Sequence, residues 1–346
     1  FRFDEGCTLA ELFAYSYGSF VLELTEQEEI GLPLGVTTEE GSFTWREESI
    51  PLQELQEAYE GKLEPIYPCN IAQGQKEIPT LSAHGDSWKK PLIKAAKPRV
   101  LIPVFPGTNC EYDAAKAMAA AGAEPEIVVI KNLTAGAIAQ SMEHVAQRLA
   151  QAQIVFLPGG FSGGDEPEGS GKFIASFFRN ERIKDAVHDL LKNRDGLMLG
   201  VCNGFQALIK LGLVPYGEIV DTDETCPTLT FNTLGRHVSR MVYTRVTSVK
   251  SPWLAGCEAG AVHAVPVSHG EGRFFADEET VRRLAENGQI ATQYVSPEGV
   301  PSGDILWNPN GSVCGVEGIT SPDGRILGKM GHSERQGTDL YKNVPG

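Results

Sequence analysis

Short apolar runs alternate with amphipathic or Ala-rich stretches from residue 99 onwards. The apolar runs predict strands at 100–105, 127–130, 154–157 and 197–201, and the stretches between them predict helices at 114–121, 172–178 and 183–192. Uninterrupted apolar strands are typical of a sheet that is buried on both faces, and strands that alternate with helices usually pair in parallel. The pattern therefore predicts an α/β fold, with a mostly parallel central sheet and helices on both faces.

Residues 1–80 have a different character, with few apolar residues for a core of their own. Their pattern predicts a helix at 9–15, a strand at 19–24 and a second helix at 52–59. Residues 81–98 are rich in Gly, Ser, Lys and Pro, which is typical of a linker. We therefore expect a small α+β segment at 1–80, a linker at 81–98 and the main domain at 99–346.

The predicted strand at 197–201 runs into a Gly-x-Cys-x-Gly turn that carries Cys202, and a helix is predicted to follow at 206–211. Functional sites of parallel sheets lie at the carboxyl ends of the strands, where a sharp strand-to-helix turn presents one side chain. The flanking glycines, Gly200 and Gly204, tolerate a strained backbone. A helix N-terminus also favours a thiolate. Cys202 is therefore a candidate nucleophile.

A cysteine nucleophile needs a base, and the base needs a group that orients it. His332 directly follows a β-like run at 326–330, and Glu334 lies two residues further on. In an extended segment this spacing places both side chains on one side, where a carboxylate can hold an imidazole tautomer. The alternative is a surface histidine beside a solvated carboxylate.

Two further loops follow apolar runs. Gly159 and Gly160 follow the run at 154–157, where backbone N–H groups can face a developing oxyanion, although an ordinary glycine turn has the same sequence. Residues 268–273 (Ser-His-Gly-Glu-Gly-Arg) cluster polar groups after a run at 262–267, and the alternative is a solvated loop. Cys110 also stands between a strand and a helix, but it lacks a following glycine and is predicted to be a buried structural thiol.

Charge and cysteine usage narrow the function classes. The formal net charge of −15 argues against nucleic acid and against an anionic membrane as partners. No apolar run reaches the roughly 20 residues that a membrane span needs, and no signal peptide is visible. The seven cysteines are scattered without a C-x-x-C pair, so we expect neither a zinc site nor a disulfide framework. A cytoplasmic location fits this usage.

Three motifs, in this order, resemble those of class I (triad-type) glutamine amidotransferase domains, which have a flavodoxin-like fold. They are Gly159-Gly160, the segment 200–206 (Gly-Val-Cys-Asn-Gly-Phe-Gln) and His332-Ser333-Glu334. Within this class, residues 98–346 are most similar to the glutaminase domains of formylglycinamide ribonucleotide amidotransferases of purine biosynthesis. Ser333 departs from the pattern, because the family usually has Pro there, which would stiffen the turn.

The resemblance implies a division of labour among the site residues. Cys202 would attack the side-chain amide of glutamine, His332 would pass the proton to the leaving ammonia, and Glu334 would orient the imidazole. It further implies backbone N–H groups of Gly160 and Asn203 as the oxyanion hole, and Gln206, Ser268, His269 and Glu271 as contacts of the bound glutamine.

The resemblance also implies a partner and cofactors outside the glutaminase domain. Residues 1–80 resemble the tail of the synthetase domain that precedes the glutaminase in single-chain forms, so we expect this chain to be part of a longer protein. Ammonia would pass to that synthetase domain, which would bind ATP and Mg²⁺. We expect no metal and no cofactor in the chain itself.

Two other functions were weighed. Another cysteine hydrolase on a similar sheet would usually take its histidine soon after the cysteine, whereas the first histidine after Cys202 is His237. A non-catalytic interaction module with the same fold would not need Cys202, His332 and Glu334 to be present together.

Overall fold

The computed structural model describes residues 1–25, 30–68, 77–83, 91, 93–164, 170–338 and 340–344. The chain forms two compact units, Phe1–Ala72 and Gln73–Gly346. Much of the linker predicted at 81–98 lies outside the described residues. The division into a synthetase remnant, a linker and a glutaminase domain stays a prediction.

The first unit is a small four-stranded sheet with two helices. Its elements are β1 (Arg2–Phe3), α1 (Leu9–Leu12), β2 (Gly35–Val36), β3 (Ser42–Trp45), β4 (Glu48–Pro51) and α2 (Leu52–Gly61). The strand order is β2-β1-β3-β4, and α1 begins at a capping box formed by Thr8 and Glu11. The strand predicted at 19–24 is wrong: this stretch is irregular and Phe20 is 87% exposed, because no strand of the described residues pairs with it.

The second unit is built on a nine-stranded sheet within the described residues. Its strands, with the separate pair β9 and β12, are β5 (Arg99–Val104), β6 (Glu124–Val129), β7 (Ile154–Leu157), β8 (Leu197–Val201), β9 (Thr228–Phe231), β10 (Val238–Val246), β11 (Val262–His269), β12 (Glu271–Phe275), β13 (Ile290–Val295), β14 (Val316–Thr320) and β15 (Ile326–Lys329). The order is β11-β10-β13-β14-β15-β8-β7-β5-β6. The run from β15 to β6 is parallel, and the run from β11 to β15 is antiparallel.

Seven α-helices of the described residues belong to the second unit. They are α3 (Glu111–Ala120), α4 (Ala135–Leu149), α5 (Lys172–Phe178), α6 (Glu181–Lys192), α7 (Asn203–Lys210), α8 (Leu213–Tyr216) and α9 (Glu278–Glu286). Helix α3 contacts β5 and β6, and α7 contacts β7, β8 and β15. The predicted fold class, α/β with a parallel central sheet and flanking helices, is confirmed, and the antiparallel half extends it.

The core explains why the apolar runs were uninterrupted. Val100 and Ile102 in β5, Val155 and Phe156 in β7, and Met198 in β8 are fully buried. Side chains on both faces of these strands are therefore removed from water, as a covered parallel sheet requires. Within the part of the chain that the structure describes, no helix is both long and apolar enough to cross a membrane.

The register of the parallel strands positions the site. Leu157 of β7 pairs with Gly200 of β8, and Val201 of β8 pairs with Lys329 of β15. The three strands therefore end at the same level. The segments that follow them, which carry Gly159, Cys202 and His332, meet at one edge of the sheet.

Candidate active site

Cys202 occupies a strained turn between β8 and α7. Its φ of +52° and ψ of −107° are unusual for a residue with a side chain. Close packing on either side accounts for the two glycines: a β-carbon at Gly204 would lie 2.0 Å from the carbonyl oxygen of Leu157, and one at Gly200 would lie 2.7 Å from the backbone of Gly204. The helix N-terminus is thus pressed against the sheet, with the thiol at the tip of the turn.

The structure brings Cys202, His332 and Glu334 together. His332 Nδ1 lies 2.6 Å from Glu334 Oε1, and the imidazole also forms a hydrogen bond with the Cys202 thiol. All three residues are buried, with exposures of 4%, 2% and 7%. The alternative of a surface histidine beside a solvated carboxylate is therefore excluded. This proximity is what the predicted roles of nucleophile, base and orienting carboxylate require, and the roles stay predictions.

His332 is held in its protonated form. Burial lowers the pKa of His332, but hydrogen bonds with Cys110, Cys202 and Glu334 outweigh this effect and raise the pKa to about 12. The proton is therefore retained at neutral pH.

Gly159, which follows β7, lies beside His332 and Cys202. A β-carbon there would lie 2.6 Å from Cε1 of His332 and 3.4 Å from Cβ of Cys202. The absence of a side chain at Gly159 therefore makes the room in which the imidazole and the thiol meet.

Ser333 stands where the related family usually has a proline that would stiffen the turn. Here polar contacts hold the turn around His332 instead. The Ser333 hydroxyl lies 2.6 Å from Lys329 Nζ, and this ammonium lies 3.9 Å from Glu317 Oε1. Glu317 Oε1 also accepts a hydrogen bond of 2.6 Å from the backbone N–H of Gly331. A buried ionic network therefore fixes the residues on both sides of His332.

The end of β11 and the start of β12, joined by a loop at Gly270, close the site from the antiparallel half of the sheet. The carbonyl oxygen of Ser268 accepts a hydrogen bond from Cys202 Sγ at 3.5 Å, and the backbone N–H of Ser170 donates to Glu271 Oε2 at 2.5 Å. The Gln206 amide donates to the carbonyl oxygen of Glu271 at 2.5 Å and accepts from the Asn203 amide at 2.9 Å. These contacts tie α7 to the loop. The roles of Gln206, Ser268 and Glu271 in holding glutamine stay predictions.

His269 lies under this loop with an unusual environment. It is 2% exposed, and neither of its ring nitrogens has a hydrogen-bond partner among the described residues. The ring packs on the Cα of Gly272, where a β-carbon would lie within 2.8 Å of both nitrogens. Burial, followed by the nearby His237, lowers the pKa of His269 to about 3, so the ring is neutral at pH 7. Its predicted contact with glutamine stays a prediction.

The two predicted oxyanion residues flank Cys202. Gly160 has a φ of +142°, and a β-carbon there would lie 2.6 Å from the carbonyl oxygen of Gly107. Asn203 is the first residue of α7, and its side-chain oxygen accepts a hydrogen bond of 3.2 Å from the backbone N–H of Ser162. Their side of the site is therefore rigid, and their role as an oxyanion hole stays a prediction.

Sequence reasoning missed the surroundings of Cys110. The predicted burial of this thiol is correct, at 1% exposure. However, its Sγ lies 3.9 Å from His332 Nδ1 and 3.0 Å from Nη2 of Arg335, so it borders the catalytic group. The available signal was its place after β5, which pairs with β7 and so ends at the same edge of the sheet.

Asn232 was also missed, although it fixes the loop around His269. Its amide donates to the carbonyl oxygen of His269 at 2.8 Å, and its side-chain oxygen accepts from the backbone N–H of Gly272 at 3.2 Å. No motif marks an isolated asparagine between β9 and β10.

Comparisons with known proteins agree with this geometry. A family model described as a CobB/CobQ-like glutamine amidotransferase domain matches residues 97–346. A phosphoribosylformylglycinamidine synthase subunit PurQ from Methanococcus maripaludis is 38% identical over 239 residues, which cover 69% of this chain and 82% of the relative. The subunit of the same name from Synechocystis is 35% identical over 248 residues, which cover 71% of this chain and 95% of the relative.

Among solved structures, a chain of PurLQS from Thermotoga maritima is similar with a TM-score of 0.49 and 27% sequence identity. The match covers 69% of this chain and 89% of that chain.

The buried ring of His269 has a consequence for stability below neutral pH. The folded pKa is lowered to about 3, whereas the unfolded value is about 6.5, so the unfolded chain binds more protons between these values. This contribution is present above pH 6.5 and is lost as the pH falls. Between pH 7 and pH 5, we expect the free energy of unfolding to fall by about 2 kcal/mol more in the native chain than in His269→Phe.

Urea unfolding at the two pH values measures this difference. The control is His263→Phe, since His263 is an exposed histidine on the same strand. An unchanged pH dependence in His269→Phe would show that the ring is not buried in its neutral form.

A methyl group at Gly159 should separate the imidazole from the thiol. Gly159→Ala places a β-carbon 2.6 Å from His332 Cε1, so the imidazole must move away from Cys202, and we expect alkylation of Cys202 by iodoacetamide at pH 7 to slow. Peptide mass mapping gives the rate at Cys202 alone. Gly256→Ala is the matched control, since nothing lies within 4 Å of that position. Equal rates in Gly159→Ala and the native chain would contradict the packing argument.

Proposed function

Since the chain belongs to the CobB/CobQ-like glutamine amidotransferase domain family, we propose that it hydrolyses glutamine at Cys202 as the glutaminase part of phosphoribosylformylglycinamidine synthase. It is a glutamine-dependent amidotransferase of the kind to which its PurQ relatives belong. The observation that carries the proposed chemistry is the buried Cys202–His332–Glu334 group at the aligned ends of β8 and β15.

The first half of the reaction releases ammonia. The Cys202 thiolate attacks the carbonyl carbon of the glutamine side chain, and the oxyanion that forms lies toward the backbone N–H groups of Gly160 and Asn203. One such donor is typically worth about 3 kcal/mol of transition-state stabilisation. The C–N bond then breaks as the imidazolium of His332 donates its proton to the departing nitrogen. A thioester on Cys202 and one molecule of ammonia result.

The second half restores the enzyme. A water molecule attacks the thioester carbon while His332, now neutral, accepts its proton. The C–S bond breaks, and glutamate leaves as the thiolate and the imidazolium form again. Glu334 stabilises the positive ring in both halves through its 2.6 Å contact with Nδ1.

The ammonia requires a synthetase partner. The relatives are named as subunits of a synthase, which supports a partner that consumes the ammonia, with ATP and Mg²⁺ bound in that partner. We assign residues 1–80 to the synthetase portion of the same full-length chain. Large side chains such as Phe13, Tyr15 and Tyr17 are more than 80% exposed, as expected for a segment that belongs to a larger domain.

We place the reaction in the cytoplasm. The described cysteines, among them Cys202 and Cys110, are free thiols, which fits a reducing compartment.

Replacement of the triad residues tests the proposal. We expect Cys202→Ala and His332→Ala each to lose nearly all glutamine hydrolysis, and the double variant to lose little more, since residues that act as one unit are strongly non-additive. Glutamate release by the purified chain is the measurement. Cys257→Ala, which removes a thiol far from β8 along the chain, serves as the control.

Labelling by a glutamine-derived diazoketone identifies the nucleophile in the same samples. Adduct formation at Cys202 is the expected result. Persistent labelling and turnover in Cys202→Ala would overturn the assignment.

The ionic network around Ser333 predicts a second effect on turnover. Ser333→Ala removes a hydrogen bond to a buried ammonium, so we expect kcat for glutamine hydrolysis to fall by roughly tenfold with little change in KM. Ser333→Thr keeps the hydroxyl and should retain most of the activity. An Ala variant as active as the Thr variant would show that the hydroxyl does not hold His332.

A further inference from the structure

Cys110, His332 and Glu334 form a compact set of metal-ligating side chains on the side of the imidazole that faces Glu334. One ligand atom from each lies within 4.8 Å of the other two, and all three residues are buried. His332 Nδ1 is 3.9 Å from Cys110 Sγ and 2.6 Å from Glu334 Oε1.

These separations are close to those of a zinc site. With Zn–S near 2.3 Å and Zn–N and Zn–O near 2.1 Å, ligand atoms of a tetrahedral ion lie roughly 3.3–3.6 Å apart. Cys110 Sγ would move by up to about 1 Å toward the other two ligand atoms, and the carboxylate would retreat from Nδ1 by less than about 1 Å. A sulfur, a nitrogen and a carboxylate oxygen are a donor set that suits Zn²⁺.

Two further observations concern the polar atoms of this pocket. Glu334 is more than nine-tenths buried, yet its Oε2 has no hydrogen-bond partner among the described residues. In addition, Arg335 Nη2 donates to Cys110 Sγ at 3.0 Å. A hydrogen bond of this kind orients the sulfur, as outer-shell partners of metal ligands do.

From this arrangement we propose that Cys110, His332 and Glu334 bind Zn²⁺ and that the bound ion stops the enzyme. The ion takes the place of the proton on Nδ1, and that proton is released to solvent. Metal-bound imidazole keeps its remaining proton at Nε2, so the ring can neither accept a proton from Cys202 nor readily donate one to ammonia. Glu334 is withdrawn from its orienting contact at the same time.

The ligands come from segments that are far apart in sequence. Cys110 follows β5, whereas His332 and Glu334 follow β15. The cysteine spacing therefore carried no zinc signature.

Cobalt(II) binding to the purified reduced chain tests the site without relying on activity. A cobalt–thiolate charge-transfer band in the near ultraviolet reports a sulfur ligand. We expect the band in the native chain and in Cys202→Ala, and its loss in Cys110→Ser and Cys110→Ala. Glu334→Gln should weaken binding while the thiol remains. Circular dichroism of each variant establishes that it is folded.

The outcomes separate this site from the catalytic thiol. A band that survives in Cys110→Ser and disappears in Cys202→Ala would assign the metal to the nucleophile and overturn the proposal. A band that survives in both variants would place the cobalt on other cysteines, such as Cys226 or Cys257, and would overturn it as well.

Inhibition gives the second readout. The Zn²⁺ concentration that halves glutamine hydrolysis should rise in Cys110→Ser by more than the roughly 10–100-fold that loss of an outer-shell contact costs. Each variant is compared with its own metal-free rate. Equal sensitivity in the two chains would refute an inhibitory site at Cys110, while a lack of glutamine hydrolysis in the metal-free native chain would instead contradict the proposed function.

Discussion

A single backbone hydrogen bond couples Cys202 to the strand that precedes His332. The N–H of Cys202 donates to the carbonyl oxygen of Lys329 at 2.8 Å, which continues the parallel ladder between β8 and β15 by one residue. Sheet register therefore sets the positions of the Cys202 thiol and His332. Their separation is fixed by the pairing of two strands rather than by two independent loops. The packing of Gly204 against β7 restricts the conformation of the turn, and the positive φ of Cys202 is therefore tolerated.

The antiparallel half of the sheet supports the site as directly as the parallel half does. Strand β14 supplies Glu317, which accepts from the N–H of Gly331, and the carbonyl oxygen of Pro266 in β11 accepts from the N–H of His332 at 2.9 Å. Glu317 also bonds to the hydroxyl of Thr292 in β13. The catalytic turn therefore stands at the seam of the two halves, where buried polar groups find partners on both sides. Such a network restricts the turn to one arrangement, because each member that moved would leave a buried group unpaired.

The sequence predicted those features that depend on residues close to one another along the chain. Uninterrupted apolar runs identified β7 and β8 with correct bounds, since burial on both faces leaves a pattern in neighbouring residues. Cys202 was recognisable because its glycines stand next to it. Cys110, Arg335 and Asn232 were not recognisable as site residues, because their partners lie in distant segments and only the register of the sheet brings them together. The pattern at 19–24 predicted a strand wrongly, because no strand of the described residues pairs with this stretch and its apolar side chains remain exposed. Ser333 shows the same limit: the replacement for proline is a lysine four residues earlier, and its contribution depends on Glu317 in another strand.

The pairing of β8 with β15 also has a kinetic side. Strands β14 and β15 are joined by a short turn and can pair early, whereas Met198 must find Ile326 across more than a hundred residues of chain. Contacts of such sequence separation form late, because the entropy of closing the loop is lost before the contact is gained. The thiol and its imidazole therefore come together only once β8 has paired with β15. A partly folded chain would carry ordinary cysteines, and nucleophilic reactivity would arise at the stage when the surrounding core already shields the site.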